Sequence, residues 1–353
     1  MNLNDKDAIN KLDKSNVLES VLNIPNQIKQ AYKETKDLQF TYTDINAVLV
    51  CGMGGSSLGA HFVGSLFKDE IKVPYIILND YKLPKFVDNK TLVILSSNSG
   101  NTEETISCMK EALEKTDKIV AITTGGLIKE EVLKGSISGY VFEQTFNVAL
   151  QPRLATSYTI IGIMAILKKL KLLDYDDKNI EDIIIFLENK NALYNISVED
   201  HFNPAKEYAY RIFEKIPFIV GAEWSSGVSH IFSNQLNETS KNLATYFLIP
   251  ELNHHLLEGL LHPSIVQSDS IFVFIRSSLY LKRNNLRLDI TKEILDRKKI
   301  ESMDITLSGL DKITQAFEML QLSSFITFYL AVLYNQDPCP IDTVDFFKKS
   351  FHR

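Results

Sequence analysis

Two short stretches of the chain combine glycines and hydroxyls as an anion site would need them. The first, Gly52-Met53-Gly54-Gly55-Ser56-Ser57, follows the apolar run Val48-Leu49-Val50-Cys51 and leads into Leu58 and Gly59. A strand, a glycine turn and a helix start in that order bring backbone N–H groups and the positive end of a helix dipole close to a phosphate. Ser56 and Ser57 add hydroxyl donors. Alone, the turn could need glycine for geometry only. A dinucleotide fingerprint requires glycine where Ser57 stands, although Asp80 lies where a ribose-binding acid would; a P-loop requires a Gly-Lys-Ser/Thr ending, which is absent.

The second stretch is Ser96-Ser97-Asn98-Ser99-Gly100-Asn101-Thr102-Glu103-Glu104-Thr105, again between an apolar run and a helix, with no Lys or Arg in it. An N-cap from Ser99 or Thr102, answered by Glu103 or Thr105, would account for one hydroxyl. It does not account for Ser97, Ser99 and Thr102 together. Two such loops on strands of one parallel sheet meet at its carboxyl edge, where open α/β folds bind ligands. The pair predicts a phosphate site built from Gly54, Gly55, Ser56, Ser97, Ser99 and Thr102, using hydroxyls and N–H groups in place of cations.

The elements that must position these loops follow from hydrophobic pattern. Residues 47–51, 75–78, 92–95 and 119–123 are continuous apolar runs, as strands of a covered parallel sheet are. Residues 58–67 and 105–115 read as crossover helices and 155–172 as a longer apolar helix. Two N-terminal helical stretches are divided near Pro25. The chain turns acidic around residues 173–178, which sets a boundary between residues 1–172 and 173–353. The second half repeats the plan: a strand at 218–221, a loop at 222–227, a helix through Lys241, strands at 245–248 and 271–275, and helices at 286–298, 310–334 and 344–350. The fold class is therefore α/β, with two doubly wound layers.

Composition narrows the partners. A net charge of -6 over 353 residues argues against nucleic acid. Residues 1–13 lack a signal core, and no apolar run reaches a bilayer span, the nearest being 160–173 with Lys168, Lys169 and Lys171 inside it. The three cysteines, Cys51, Cys108 and Cys339, have no CxxC spacing, so a reducing, cytoplasmic setting fits. His254, His255 and His262 carry no metal-site pattern. Phe325, Phe328 and Tyr329 read as core and Trp224 as packing, with the lining of a sugar pocket as its lesser alternative; the apolar face at 331–334 is expected to serve dimer contacts.

The two loops resemble the sugar-isomerase (SIS) phosphosugar-binding domain. The resemblance continues through Gln151-Pro152-Arg153, Asn237-Glu238-Thr239-Ser240-Lys241, Pro250-Glu251-Leu252-Asn253-His254 and Asp337-Pro338-Cys339-Pro340-Ile341 to Lys348. That ordered set is similar to the bifunctional phosphoglucose/phosphomannose isomerase family of the phosphoglucose isomerase superfamily. It implies two SIS-type doubly wound parallel-sheet domains, each a three-layer αβα unit. It implies interconversion of glucose 6-phosphate, and mannose 6-phosphate as second aldose, with fructose 6-phosphate through a cis-enediol(ate), with no metal and no cofactor. By the resemblance Glu238 is the base that moves a proton between C1 and C2, and Arg153 steadies the developing charge. His254, from the neighbouring subunit of a homodimer, opens the sugar ring, and Lys348 assists. Cys339 stands where a small hydroxyl residue is expected, which bears on mannose 6-phosphate. The rivals are a phosphosugar sensor of the same fold that binds without turnover, for which no helix-turn-helix segment is present, and an amino-sugar phosphate isomerase.

Overall fold

A computed structural model describes residues 2–351. Among these residues two sheets form. β1 (Ala47–Gly52), β2 (Tyr75–Leu78), β3 (Thr91–Ser96), β4 (Ile119–Thr123) and β5 (Ser138–Val141) lie in the order β2-β1-β3-β4-β5. β6 (Ile216–Ala222), β7 (Thr245–Ile249), β8 (Ser270–Arg276) and β9 (Glu301–Thr306) lie in the order β7-β6-β8-β9. Every strand pair is parallel. Helices α1 (Lys6–Leu12), α2 (Val17–Leu22) and α3 (Ile24–Thr35) precede the first sheet, and α4 (Leu58–Leu66), α5 (Glu103–Leu113) and α6 (Gly126–Leu133) cross over within it. α7 (Thr156–Lys169), α8 (Asp177–Tyr194) and α9 (Pro204–Ile212) lead to the second sheet. There α10 (Ser226–Glu238), α11 (Leu256–Gly259), α12 (Ile265–Asp269) and α13 (Lys282–Arg297) connect the strands, and α14 (Lys312–Leu333) and α15 (Asp342–Phe351) follow.

The first sheet is covered on both faces, and its strand residues divide between them by the period of two. Leu49, Cys51, Val93, Leu95, Ile119 and Ala121 pack with Cys108, Met109 and Ala112 of α5 and Ile128 of α6. Val48, Val50, Leu92, Ile94, Val120 and Ile122 belong instead to the core shared with α3, α4 and α7, which runs on into the second half. In both sheets the order reverses next to the first strand, so the loops after β1 and β3, and those after β6 and β8, flank a crevice at the carboxyl edge.

The two halves meet helix against helix, α4 on α10. The approach is close enough that a Cβ on Gly227 would lie 2.4 Å from the carbonyl oxygen of His61, and Ser65 Oγ accepts the Gly227 N–H at 3.0 Å while donating to the Trp224 carbonyl at 3.0 Å. The N-terminal arm also crosses over: Leu3 is fully buried, and the buried Lys206 donates to Asn4 Oδ1 and to the carbonyls of Ile196 and Val198.

Several elements differ from the sequence reading. β5, α6, α8, α9 and β9 were not among the elements expected. β5 is Ser-Gly-Tyr-Val, α6 opens on glycine, and the edge strand β9 alternates polar with apolar, whereas α8 does carry an apolar run at 183–187. The helix expected to reach Lys241 ends at Glu238, because Lys241 adopts φ +55. Ala331, Val332 and Leu333 are buried within the chain, so they offer no dimer face; the exposed apolar side chains near the C-terminus are Val344, Phe346, Phe347 and Phe351 of α15. α14 is 22 residues long and holds an 18-residue window of mean hydropathy 1.5, enough to cross a membrane by length and composition, which apolar runs alone do not show. Its apolar window is wholly buried inside the protein, so it is a core helix; Phe325, Phe328 and Tyr329 lie on it fully buried.

Candidate active site

The two glycine- and serine-rich loops sit side by side, because Gly52 pairs with Ser96 across β1 and β3. They are also stitched together. Ser96 Oγ donates to the Ser56 carbonyl at 2.6 Å, and the Asn98 N–H donates to Ser56 Oγ at 3.0 Å. Ser97 is buried; its Oγ accepts the Gly100 N–H at 3.1 Å and shares a 2.8 Å hydrogen bond with Thr102 Oγ1. Thr102 occupies the N-cap of α5 but its side chain makes no capping bond, so capping does not explain these hydroxyls. Ser99 is exposed, its Oγ accepting the Asn101 N–H at 3.3 Å. The helix N-terminus is thus left with donors facing out of the protein.

Glycine is favoured at two adjacent positions here for different reasons. Gly54 has φ +48, and nothing lies within 4 Å of where its Cβ would be, so this corner opens on solvent. A Cβ on Gly55 would lie 2.8 Å from the backbone nitrogen of Arg153. The first loop therefore rests directly on the 3-10 turn Pro152–Leu154, which carries Arg153 into the site.

Arg153 is almost completely buried, and its contacts fix the plane of the guanidinium. Nε donates to Thr239 Oγ1 at 3.1 Å, Nη1 to Gln151 Oε1 at 2.9 Å, and Nη2 to the carbonyls of Pro338 and Cys339 at 2.8 and 2.7 Å. Of the five N–H groups an arginine carries, these bonds leave one, on Nη1. That nitrogen is 3.7 Å from Glu238 Oε2, too far for a hydrogen bond and close enough for strong attraction. Burial pulls the Arg153 pKa down, with Glu238 and then Cys339 opposing, and the group stays charged.

Glu238 ends α10. The end is held by Asn237, which bonds to the carbonyls of Ser233 and Ala244 and accepts the Ala244 N–H, and by Ser240 Oγ, which donates to the Leu236 carbonyl. Burial pushes the Glu238 carboxyl pKa up; Arg153, Lys348 and Lys241, in that order, pull it back without cancelling the rise. Lys348, on the exposed α15, is thus within electrostatic range of Glu238. Lys241 donates to the carbonyls of Thr239 and Asp337 at 3.0 and 2.7 Å. Its pKa is pushed down to about 8, chiefly by burial and then by Arg153, with Asp337, Cys339 and Asp342 opposing.

His254 lies elsewhere. It ends the 3-10 turn Glu251–His254 just after β7, at the carboxyl edge of the second sheet, and its side chain is exposed. α10 begins at that edge and runs back along the sheet, so Glu238 lies at the opposite edge, a helix length of about 20 Å away. Among the described residues no hydrogen bond or ion pair joins the His254 side chain to Arg153, Glu238 or the phosphate loops. The turn itself is anchored: Asn253 Nδ2 donates to Thr291 Oγ1 at 2.8 Å, and Arg287 donates to Asn253 Oδ1 at 3.2 Å. Trp224 is buried against Tyr280 and packs as expected.

The chain is 35% identical to the bifunctional phosphoglucose/phosphomannose isomerase of Caldicellulosiruptor bescii, over 94% of its own length and 98% of the relative's. The chain belongs to the bifunctional phosphoglucose/phosphomannose isomerase family. A second member, from Aquifex aeolicus, is 28% identical over 91% of this chain and 95% of its own. Residues 201–351 match the bacterial phospho-glucose isomerase C-terminal SIS domain. Among solved structures, a hypothetical protein of Thermus thermophilus superposes with a TM-score of 0.75 at 14% identity, over 98% of this chain and 93% of the other; at that identity the likeness speaks for the fold alone.

Within this family member the site holds residues to which the sequence reading gave no role. Gln151 orients Arg153 and donates to Cys339 Sγ at 3.3 Å. Lys241 bridges the end of α10 to the loop before Cys339. Both stand inside stretches that carried the resemblance, so their neighbours were the available signal. Gln144 and Asn147, behind Gln151, stand in no such stretch.

Proposed function

We propose that the chain is an aldose–ketose isomerase that interconverts glucose 6-phosphate, and mannose 6-phosphate, with fructose 6-phosphate. Residues 1–172 supply the phosphate cradle and Arg153; residues 173–353 supply the base. The substrate phosphate is held by N–H groups of residues 54–57 and the hydroxyls of Ser56, Ser97, Ser99 and Thr102. Glu238 removes the proton from C2 of the open-chain aldose and returns it to C1; in the intervening enediol(ate) the hydroxyl proton passes from O2 to O1, so the carbonyl moves from C1 to C2. The free N–H of Arg153 faces the gap where that oxygen's negative charge develops. A carboxylate raised in pKa by burial is a better base than one locked in a close ion pair, and the 3.7 Å spacing leaves Glu238 unlocked. This facing pair, one buried arginine with a single spare donor opposite a half-buried glutamate, carries the reading.

His254 serves ring opening from a second copy of the chain, since its own Glu238 is a helix length away; Lys348 assists from α15. The exposed apolar side chains Leu261 and Ile265 near His254 and Phe346, Phe347 and Phe351 on α15 suit the faces of such a homodimer. The free, buried cysteines suit a reducing, cytoplasmic setting. The Cys339 thiol, held by Gln151, takes the place of a hydroxyl at the sugar, so mannose 6-phosphate is expected to turn over more slowly than glucose 6-phosphate. The chemistry needs no metal. A coupled assay with each aldose in the presence of EDTA tests this reading: turnover of glucose 6-phosphate is expected, no turnover of either sugar refutes the isomerase, and loss caused by EDTA refutes the metal-free mechanism.

A further inference from the structure

The segment between β5 and the 3-10 turn of Arg153 is clamped from three helices. Gln27 of α3 donates to the Phe146 carbonyl at 3.1 Å, the Phe146 N–H donates to Tyr158 Oη of α7 at 3.2 Å, and the Ala149 N–H donates to Ser20 Oγ of α2 at 2.9 Å. On this fixed backbone stands a row of amides. Gln144 Oε1 accepts from Asn98 Nδ2 of the second phosphate loop at 3.2 Å and from Asn147 Nδ2 at 2.7 Å. Asn147 Nδ2 also donates to the Gln151 carbonyl at 2.9 Å, and Gln151 Oε1 takes the Arg153 Nη1–H at 2.9 Å. Asn147 is fully buried.

This arrangement is a poor choice for packing alone. Asn98 Oδ1 and Asn147 Oδ1 are buried without a hydrogen-bond partner in the protein. An unpaired buried acceptor is destabilising, a cost that an apolar filler of the same shape would avoid. What the amides provide is position: Gln144 holds the side chains of Asn98 and Asn147, and Asn147 holds the main chain of Gln151, whose side chain meets Arg153.

We propose that Gln144 and Asn147 are positioning residues that couple the phosphate loop to the orientation of Arg153. Through them, binding energy from the unreacting end of the sugar is used to align the guanidinium at the reacting end. The proposal rests on the isomerase reading above and adds a determinant of kcat outside the residues that touch substrate. Gln144, which is only half-buried, is the safer place to cut the row; Asn98 keeps its backbone bonds to Ser56 Oγ and Thr124 whatever its side chain.

The test compares wild type with Gln144→Ala, Asn98→Ala, the double variant and Gln144→Glu, which keeps an acceptor for both asparagines. Steady-state kinetics with glucose 6-phosphate are read beside the inhibition constant of inorganic phosphate. Gln144→Ala and Asn98→Ala should each lower kcat about ten- to a hundredfold, with phosphate inhibition within about twofold of wild type. The double variant should fall no further than the worse single one, and Gln144→Glu should recover most of the loss. Unchanged kcat in a folded Gln144→Ala protein overturns the coupling, as do losses that multiply in the double variant or a kcat that falls only in step with phosphate affinity. An inactive wild type would instead refute the isomerase reading itself.

Discussion

β1 and β6 run into the same junction, and the chain uses it in opposite ways. In the first half the strand Ala47–Gly52 is followed by the 3-10 turn Gly54–Ser56 and the helix Leu58–Leu66; in the second, Ile216–Ala222 is followed by Glu223–Ser225 and Ser226–Glu238. The residue opening each turn has left-handed backbone, φ +48 at Gly54 and +50 at Glu223, after an extended Met53 or Ala222. At Gly54 the space beyond is open. At Glu223 the chain supplies its own anion: Oε1 accepts the Leu281 N–H at 2.8 Å and Asn284 Nδ2 at 2.7 Å, at the start of α13, the helix that follows β8 as α5 follows β3. One cradle is left for a ligand and the other is filled by a carboxylate. In the proposed site the two helices serve by opposite ends, α4 by its N-terminus toward the phosphate and α10 by its C-terminus, where Glu238 lies 3.7 Å from Arg153.

The contrast can be broken at each point, and the largest effect is expected at Glu238. Glu238→Gln should lower kcat by about a thousandfold or more with KM within a few-fold, since it removes the base and leaves the cradle. In the wild type kcat should rise with pH through the Glu238 pKa, which lies above the ordinary 4.5; the Gln variant should lack that acidic limb. A folded variant with near-native turnover would move the base elsewhere. Next comes Gly55→Ala, which pushes the cradle against the Arg153 backbone and should cost about ten- to a hundredfold in kcat/KM. The corresponding residue of the second half is the bulky Trp224, so a harmless Gly55→Ala would mean that the first loop does not need its close approach.

Thr102→Ala should act on the grip alone, raising KM about tenfold, as the loss of one hydrogen bond would, with kcat within about threefold. Equal loss in kcat would show that this hydroxyl serves the chemistry. Glu223→Ala is expected to change neither kcat nor KM beyond about twofold. It should lower stability by roughly 1–3 kcal/mol through two lost bonds to a charged acceptor, seen as a drop in Tm. A changed KM for phosphosugar there would mean that the filled cradle takes part in binding.

Much of this was legible in the sequence where function and local geometry coincide. The strand runs 47–51 and 119–123, the glycines of the first turn and the hydroxyls of the second announce a parallel sheet and its ligand edge, because both need particular residue types at short range. β9 and β5 were not legible, since edge strands need no continuous apolar run. α6 was hidden by the glycines at its start. The filled second cradle could not be read because Glu223 meets its partners 58 and 61 residues away. The Asn98–Gln144–Asn147 row is long-range in the same sense. The Arg153–Glu238 pairing was available only through resemblance, since an isolated glutamate at a helix end is an ordinary surface residue by pattern.

The position of the bound sugar phosphate is the most direct test. A crystal structure of the Glu238→Gln variant with fructose 6-phosphate should show the phosphate against residues 54–57, Ser97, Ser99 and Thr102, C1 and C2 between position 238 and the Arg153 guanidinium, and no ligand at Glu223. A phosphate bound at the second junction, or a sugar whose C1 and C2 lie away from Arg153, would contradict it.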